Sequence, residues 1–335
     1  MSTSVFAQTK TSFNWSELPN IPDNVGFAGS FSGISNNALI VTGGANFPDG
    51  GAPWTGSKKV WHDDIFILDS PDGDWKVLGK LPQPLGYGVS ISSDQGLILI
   101  GGNNEDKHFA DVLLLQYREG AIETKRLPDL PKPLANSAGV ILNNVIYVLG
   151  GTVDHQSKEA ENNFWSLDLD NPSANWKEMD SWPGPSRMLA VAGVQDDAIY
   201  LFSGAHLKDG AREYLKDAYK YSLNGGWKKI ADLPNSIVAA PSPAFTDSND
   251  NLIVFGGDDG TLTKIDLLKE RHPGFSRAIL SYNNSTDSWS EIGTQSGYAA
   301  VTTPLVVWRE KVIIPGGEIM PSVRTTKVVV IEPVD

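Results

Sequence analysis

The chain has 335 residues, is 40% hydrophobic and 20% charged, carries a formal net charge of −13 and contains no cysteine. Length and composition suit a globular protein of one large or two average domains. Disulfides, thiolate metal sites and a cysteine nucleophile are excluded, no apolar run approaches the roughly 18 residues of a membrane span, and the acidic balance argues against a nucleic-acid or anionic-membrane surface. An anionic substrate stays open, because a local cluster of arginines can outweigh the global field.

The first segment, residues 1–12, contains Ser4-Val5-Phe6-Ala7. Ala7 fits the small-residue end of a removed signal peptide, which implies a periplasmic protein. The basic and apolar regions of such a peptide are missing, so the alternative is a frayed start and a cytoplasmic protein. Residues 13–335 read as a single domain. Phe13–Pro19 has the pattern of a strand and carries Trp15.

From there one unit recurs six times. Apolar runs at Ala38–Val41, Leu97–Ile100, Val145–Leu149, Ala198–Phe202, Leu252–Phe255 and Lys311–Ile314 each lead into a doublet. The doublets are Gly43-Gly44, Gly101-Gly102, Gly150-Gly151, Ser203-Gly204, Gly256-Gly257 and Gly316-Gly317, spaced 49 to 60 residues apart. A variable loop follows each doublet, then an alternating strand such as Asp64–Leu68 or Asp217–Tyr221. A further strand carries Trp75, Trp176, Trp227 or Trp289, with Lys125 near that position in the second unit. Alternating strands with Gly/Pro punctuation, four to a unit, make a propeller blade. A period of roughly 50 residues is that of kelch repeats. The expected fold is an all-β, six-bladed kelch β-propeller.

The sixth unit decides how the ring closes. After Gly316-Gly317 the chain holds one more strand, Thr325–Ile331, so that blade lacks its fourth. Phe13–Pro19 is a fourth strand without a blade. The N-terminal strand is therefore expected to complete the last blade, which ties the termini together and removes an exposed edge. The doublets themselves serve backbone geometry and close packing; no Gly-Lys-Ser/Thr phosphate loop is present.

In an up-and-down blade the second-to-third loop and the blade-to-blade connection share one face. All five histidines, His62, His108, His155, His206 and His272, fall in the loops after the doublets, together with ten lysines and arginines that include Lys58, Lys59 and Arg324. This is either a cationic face or the ordinary polarity of loops. No His-x-x-x-His or His-Glu-x-x-His spacing occurs, so no metal site is expected. The sixth loop is the most informative. Glu318 directly follows the doublet, Arg324 lies six residues on, and Pro321 stiffens the turn between them. Arginine holds a carboxylate with two parallel, charge-assisted bonds. The pair reads either as a substrate site at the channel mouth or as a loop salt bridge.

Three stretches carry a family resemblance. They are Gly-Glu-x-x-Pro-x-x-Arg-Thr at Glu318, Pro321, Arg324 and Thr325; Pro22–Gly29 continuing to Gly43-Gly44-Ala45; and Tyr87-Gly88-Val89-Ser90 leading to Gly101-Gly102. Across essentially the whole ring the chain resembles the bacterial N-acetylneuraminate (sialic acid) mutarotases, also called epimerases. The Gly-Phe-Ala-Gly blade comes first here and the Gly-Glu blade last, the reverse of the usual members, which marks a cyclically permuted branch. A closed ring keeps its spatial neighbourhood wherever it is cut. The related motif often has arginine before Tyr87, where this chain has Leu85 and Gly86. Arg187 either replaces that cation or is a structural arginine.

The resemblance implies interconversion of the α and β anomers of N-acetylneuraminate, with Glu318 as general base and acid and Arg324 on the sugar carboxylate. Asn46, Tyr87, Lys58, His62 and Arg187 are further candidates for substrate contact, and Trp54 and Trp61 for stacking. No metal or organic cofactor is called for; the expected partner is a small acidic sugar, and oligomeric state is left open. The rival is a non-catalytic kelch propeller that binds a glycan or a protein, which has no need of the Glu318/Arg324 constellation. A kelch copper radical oxidase needs a cysteine, and the repeated boxes of a sialidase have only one loose echo, Ser70–Trp75.

Overall fold

A computed structural model describes residues 12–171, 173–262 and 268–334. Residues 1–11 lie outside the described residues, and with them the Ser4–Ala7 reading. The described chain forms six four-stranded antiparallel sheets, arranged as the blades of a propeller around a central channel. Blade one comprises Ala28–Ser35, Ala38–Asn46, Asp64–Leu68 and Lys76–Lys80, counted from the channel outward. Blades two to five repeat that order from inner strands that start at Val89, Ala138, Val191 and Phe245. Blade six has Val306–Trp308, Lys311–Pro315 and Val328–Val334, and takes Ser12–Leu18 as its outer strand.

Each sheet is packed on both faces, so its middle strands read as continuous apolar runs. Gly96–Ile100 is buried along its whole length. Between blades one and two, Ile40, Ile65 and Ile67 pack against Leu97, Leu99, Leu113 and Leu115. The repeating tryptophans stitch blades together at the rim. The indole N–H groups of Trp75, Trp176, Trp227 and Trp289 donate to the carbonyls of Pro19, Pro128, Asp180 and Ala231 at 2.8–3.0 Å. Blade two lacks this stitch, and Lys125 there donates instead to Gln116 Oε1 at 2.8 Å.

The channel is defined by a ring of six backbone hydrogen bonds. Gly29, Tyr87, Asn136, Leu189, Ala239 and Thr302, one per blade, all have φ between 51° and 66°. The N–H of each donates to the carbonyl of its predecessor at 2.6–2.8 Å, and Gly29 closes the circle onto Thr302. Five of the six are not glycine, and such left-handed residues cost on the order of 1–3 kcal/mol each. The doublets stand beside this ring. A Cβ on Gly43, Gly101 or Gly150 would lie 2.3 Å from a carbonyl oxygen of the next blade. Ser203 takes the same position in blade four with φ 54°, and its hydroxyl replaces the lost contact, donating to the Leu215 carbonyl at 2.7 Å and accepting from the Ile237 N–H at 2.9 Å.

The N-terminal strand closes the ring as the sequence predicts, in the register Trp15 opposite Ile331. Its partner begins at Val328 rather than Thr325. The three preceding residues are used elsewhere: Thr325 N–H donates to Gly317, the Thr326 carbonyl accepts from Ile21, and the Lys327 carbonyl accepts from Gly316.

Arg187 belongs to this scaffold. Its side chain has no exposed surface and forms a two-pronged pair with Asp217 at 3.0 and 2.8 Å, plus a bond to the Ser203 carbonyl. Burial by itself would raise the Asp217 pKa, but Arg187 and the Tyr219 hydroxyl outweigh it and hold the carboxyl below its ordinary value.

Two outcomes follow. Removing residues 1–19 strips Val328–Val334 of its outer partner and should lower the melting temperature sharply in calorimetry; an unchanged melting temperature would refute closure by this strand. Arg187→Ala leaves the largely buried Asp217 carboxylate without its cation, held by the Tyr219 hydroxyl, and should cost about 3–5 kcal/mol in denaturant unfolding at neutral pH. The Asp217 pKa is depressed in the folded state, so its stabilisation is present above the unfolded carboxylate pKa and lost as pH falls through the folded value. The gap between wild type and variant should therefore narrow in acid.

Candidate active site

The residue after each doublet pairs with the residue before each ring position. Ala45, Asn103, Thr152, Ala205, Asp258 and Glu318 bridge to Ala28, Gly86, Ala135, Met188, Val238 and Val301. Six side chains thus occupy equivalent stations around the channel mouth. Two are carboxylates, and they stand in neighbouring blades five and six.

Glu318 opens a two-stranded hairpin, Glu318–Met320 against Val323–Arg324, that sets it directly opposite Arg324. The hairpin turns at Pro321 and at Ser322, which has φ 68°. The Ser322 N–H donates to Glu318 Oε1 at 2.6 Å, while Arg324 Nη1 reaches the same oxygen only at 3.5 Å. The side chains are 18% and 5% exposed, respectively. The Arg324 guanidinium lies 4.9 Å from the centre of the Phe47 ring, and its buried Nε has no hydrogen-bond partner among the described residues. A guanidinium has five N–H donors, and leaving donors unpaired at this depth is costly. The arrangement is a cation with unused bonding capacity beside a carboxylate.

Below the mouth lies the channel cavity, with walls of the ring residues and the small residues after them. Glu318 and Arg324 are not part of those walls; Glu318 is joined to them through Val301, which precedes Thr302. Tyr87 is in the wall, and its ring covers Gly29 so closely that a Cβ there would lie 2.6 Å from it. Lys59 Nζ sits 4.1 Å from the centre of the Tyr87 ring and 4.5 Å from that of Trp61. The Trp61 indole donates to Asn103 Oδ1 at 3.0 Å, and Asn103 Nδ2 meets His108 Nε2 at 3.3 Å. His108 therefore accepts at Nε2 and donates from Nδ1 to the Thr152 carbonyl at 3.1 Å. Burial pushes its pKa below the usual imidazole value, in keeping with this neutral form.

Five sequence candidates have their polar groups engaged by other partners. Arg187 is saturated by Asp217, which carries its structural reading and not its substrate-binding one. Lys58 points outward to an exposed ion pair with Glu105 at 2.8 Å. Asn46 is buried with both ends of its amide engaged, donating to Asp23 Oδ1 at 3.3 Å and accepting from His62 Nε2 at 2.8 Å. His62 packs on Phe27 and is held below the usual imidazole pKa by burial. Asn46, His62 and Asp23 together brace the turn Asp23–Gly26, whose N–H groups also bond Asp23. Trp54 reaches over blade six to hydrogen-bond Glu270 of blade five.

Lys59, named in the sequence only among the loop cations, faces Tyr87 of the channel wall, where Lys58 was the candidate. The signal was the period of two. Val60–Trp61 is a short strand paired with Ala45 and Asn46, so Lys59 and Trp61 share one side and Lys58 and Val60 the other.

The family model for N-acetylneuraminate epimerase matches residues 2–123 and 127–270. The chain is 47% identical over 85 residues to N-acetylneuraminate epimerase of Yersinia pestis (strain Pestoides F), which covers 23% of this chain and 21% of that protein. It is 39% identical over 122 residues to the enzyme of the same name from Salmonella enteritidis PT4 (strain P125109), covering 33% of this chain and 31% of the relative. The matched stretches thus span between a fifth and a third of the length of these curated relatives. The solved structure of YjhT superposes with a TM-score of 0.70 at 19% identity, over 96% of this chain and all of that one, which supports the fold. With the family model matching most of its length, the chain belongs to the N-acetylneuraminate epimerase family.

Proposed function

We propose that this protein interconverts the α and β anomers of N-acetylneuraminate by opening and reclosing the pyranose ring. The observation that carries this is Arg324, deeply buried with an unpartnered Nε and held loosely beside Glu318 at the channel mouth. In the forward step the Glu318 carboxylate takes the proton of the anomeric hydroxyl. The carbonyl forms, the bond from the anomeric carbon to the ring oxygen breaks, and the protonated Glu318 returns its proton to the ring oxygen. Rotation about the bond next to the carbonyl and the reverse sequence give the other anomer. Arg324 holds the carboxylate on the anomeric carbon, which survives ring opening unchanged and keeps the open-chain keto acid in place. Positioned proton transfer of this kind contributes typically ~10²–10⁴-fold.

The same reading makes the chain a permuted, kelch-type member of its family that acts on a small acidic sugar, and it suits a periplasmic enzyme that meets the sugar on entry. Neither proton transfer nor carboxylate binding calls for a metal or an organic cofactor.

Glu318→Gln keeps the shape of the side chain and loses its basicity. Anomer exchange, read by NMR of freshly dissolved N-acetylneuraminate, should fall by roughly 10²-fold or more while calorimetric binding changes little. Arg324→Lys keeps the charge and loses the fork, so binding should weaken by roughly 10–150-fold. Exchange at the wild-type rate by Glu318→Gln removes that residue from the mechanism. Absence of exchange in the wild type overturns the enzyme reading in favour of a binding module.

A further inference from the structure

We propose that Lys59 is a second cationic contact for the substrate carboxylate, acting with Arg324 at the channel mouth. This rests on the acidic-sugar reading and deepens it. Several lysines have no carboxylate partner; what sets Lys59 apart among the described residues is its half-buried seat over two aromatic rings. Lys59 is half-buried, and among the described residues its recorded contacts are the faces of Tyr87 and Trp61. Its neighbour Lys58 shows the ordinary fate of such a residue, an exposed pair with Glu105.

Lys59 is held in place by its surroundings. Trp61 is fixed by its bond to Asn103, and Asn103 by His108. Tyr87 is fixed by its ring hydrogen bonds to Gly29 and Asn136. A cation over two aromatic faces keeps its charge and loses part of its hydration without being neutralised. It remains able to bind an anion.

Its location links it to the same quadrant as Glu318. The Tyr87 ring lies over Gly29, Gly29 donates to Thr302, and Thr302 follows Val301, the bridge partner of Glu318. Phe47, which carries the Arg324 guanidinium on its face, precedes Lys59 in the same blade-one loop. One loop thus contributes an aromatic seat for one cation and, twelve residues on, the other cation itself. A carboxylate has two oxygens, and two separate cations can each take one.

The test is Lys59→Met, which keeps the length and packing of the stem and removes the charge. Calorimetric binding of N-acetylneuraminate should weaken roughly 10-fold or more. Where exchange is measurable, KM should rise with kcat little changed, and Lys59→Arg should restore most of the binding. The carboxamide analogue should bind wild type and Lys59→Met equally. Unchanged binding, or a loss equally large for the carboxamide, overturns the proposal. So does a loss confined to kcat. Because binding is read without turnover, a wild type that binds the sugar and fails to exchange it would end the mutarotase reading and leave this contact standing.

Discussion

The circle of six backbone hydrogen bonds from Gly29 to Thr302 is the constraint from which the rest of the structure takes its geometry. It fixes one residue of every blade at the channel in a left-handed conformation. The residue before it is thereby aligned to bridge the residue after the doublet. Side-chain identity hardly matters to the ring itself, which accepts glycine, tyrosine, asparagine, leucine, alanine and threonine alike. The left-handed cost is met because no member can relax alone: turning one residue breaks its bonds to both neighbours. Closure by Ser12–Leu18 matters for the same reason, since the circle persists only while blade six is held against blade one.

This circle separates what the backbone fixes from what the side chains are free to differ in. The six stations after the doublets are geometrically equivalent but hold alanine twice, asparagine, threonine, aspartate and glutamate. Chemistry is therefore assigned by side chain at a position that the backbone has already defined. Glu318 opens a hairpin of its own, and that hairpin brings back Arg324. Blade four also has a hairpin, Ala205–Lys208 against Ala211–Tyr214, yet its station holds an alanine. A hairpin by itself does not make a site.

The fold was legible because its signals are redundant. Six doublets, four rim tryptophans and one missing strand each point to the same ring, and each has a local physical cause. The meeting of Glu318 and Arg324 was legible because both side chains are placed by their own loop. Glu318 and Arg324 are six residues apart in one hairpin, and their meeting needs no long-range information. Asn46, His62 and Lys58 were not resolved, because their fate depends on partners far off in sequence or on the far side of a strand. Asp23 claims Asn46 from 23 positions away, and Glu105 claims Lys58 from the next blade. Only the short pairing of Val60–Trp61 with Ala45–Asn46 tells which of two adjacent lysines faces inward.

Arg187 and Arg324 show how the same residue type is assigned to opposite tasks. Both are buried, and both have a carboxylate in reach. Asp217 meets Arg187 with both oxygens at 3.0 and 2.8 Å, which leaves the guanidinium fork spent on the scaffold. Glu318 meets Arg324 less closely. Its Oε1 accepts the Ser322 N–H at 2.6 Å, in a turn that contains Pro321 and the left-handed Ser322. The guanidinium is held at 3.5 Å from that oxygen and keeps its unpartnered Nε. A closed pair would be more stable and would have neither a base nor an anion receptor left to offer. The longer contact leaves bonding capacity on the Arg324 guanidinium that Arg187 does not have, and the proposed substrate contact draws on it.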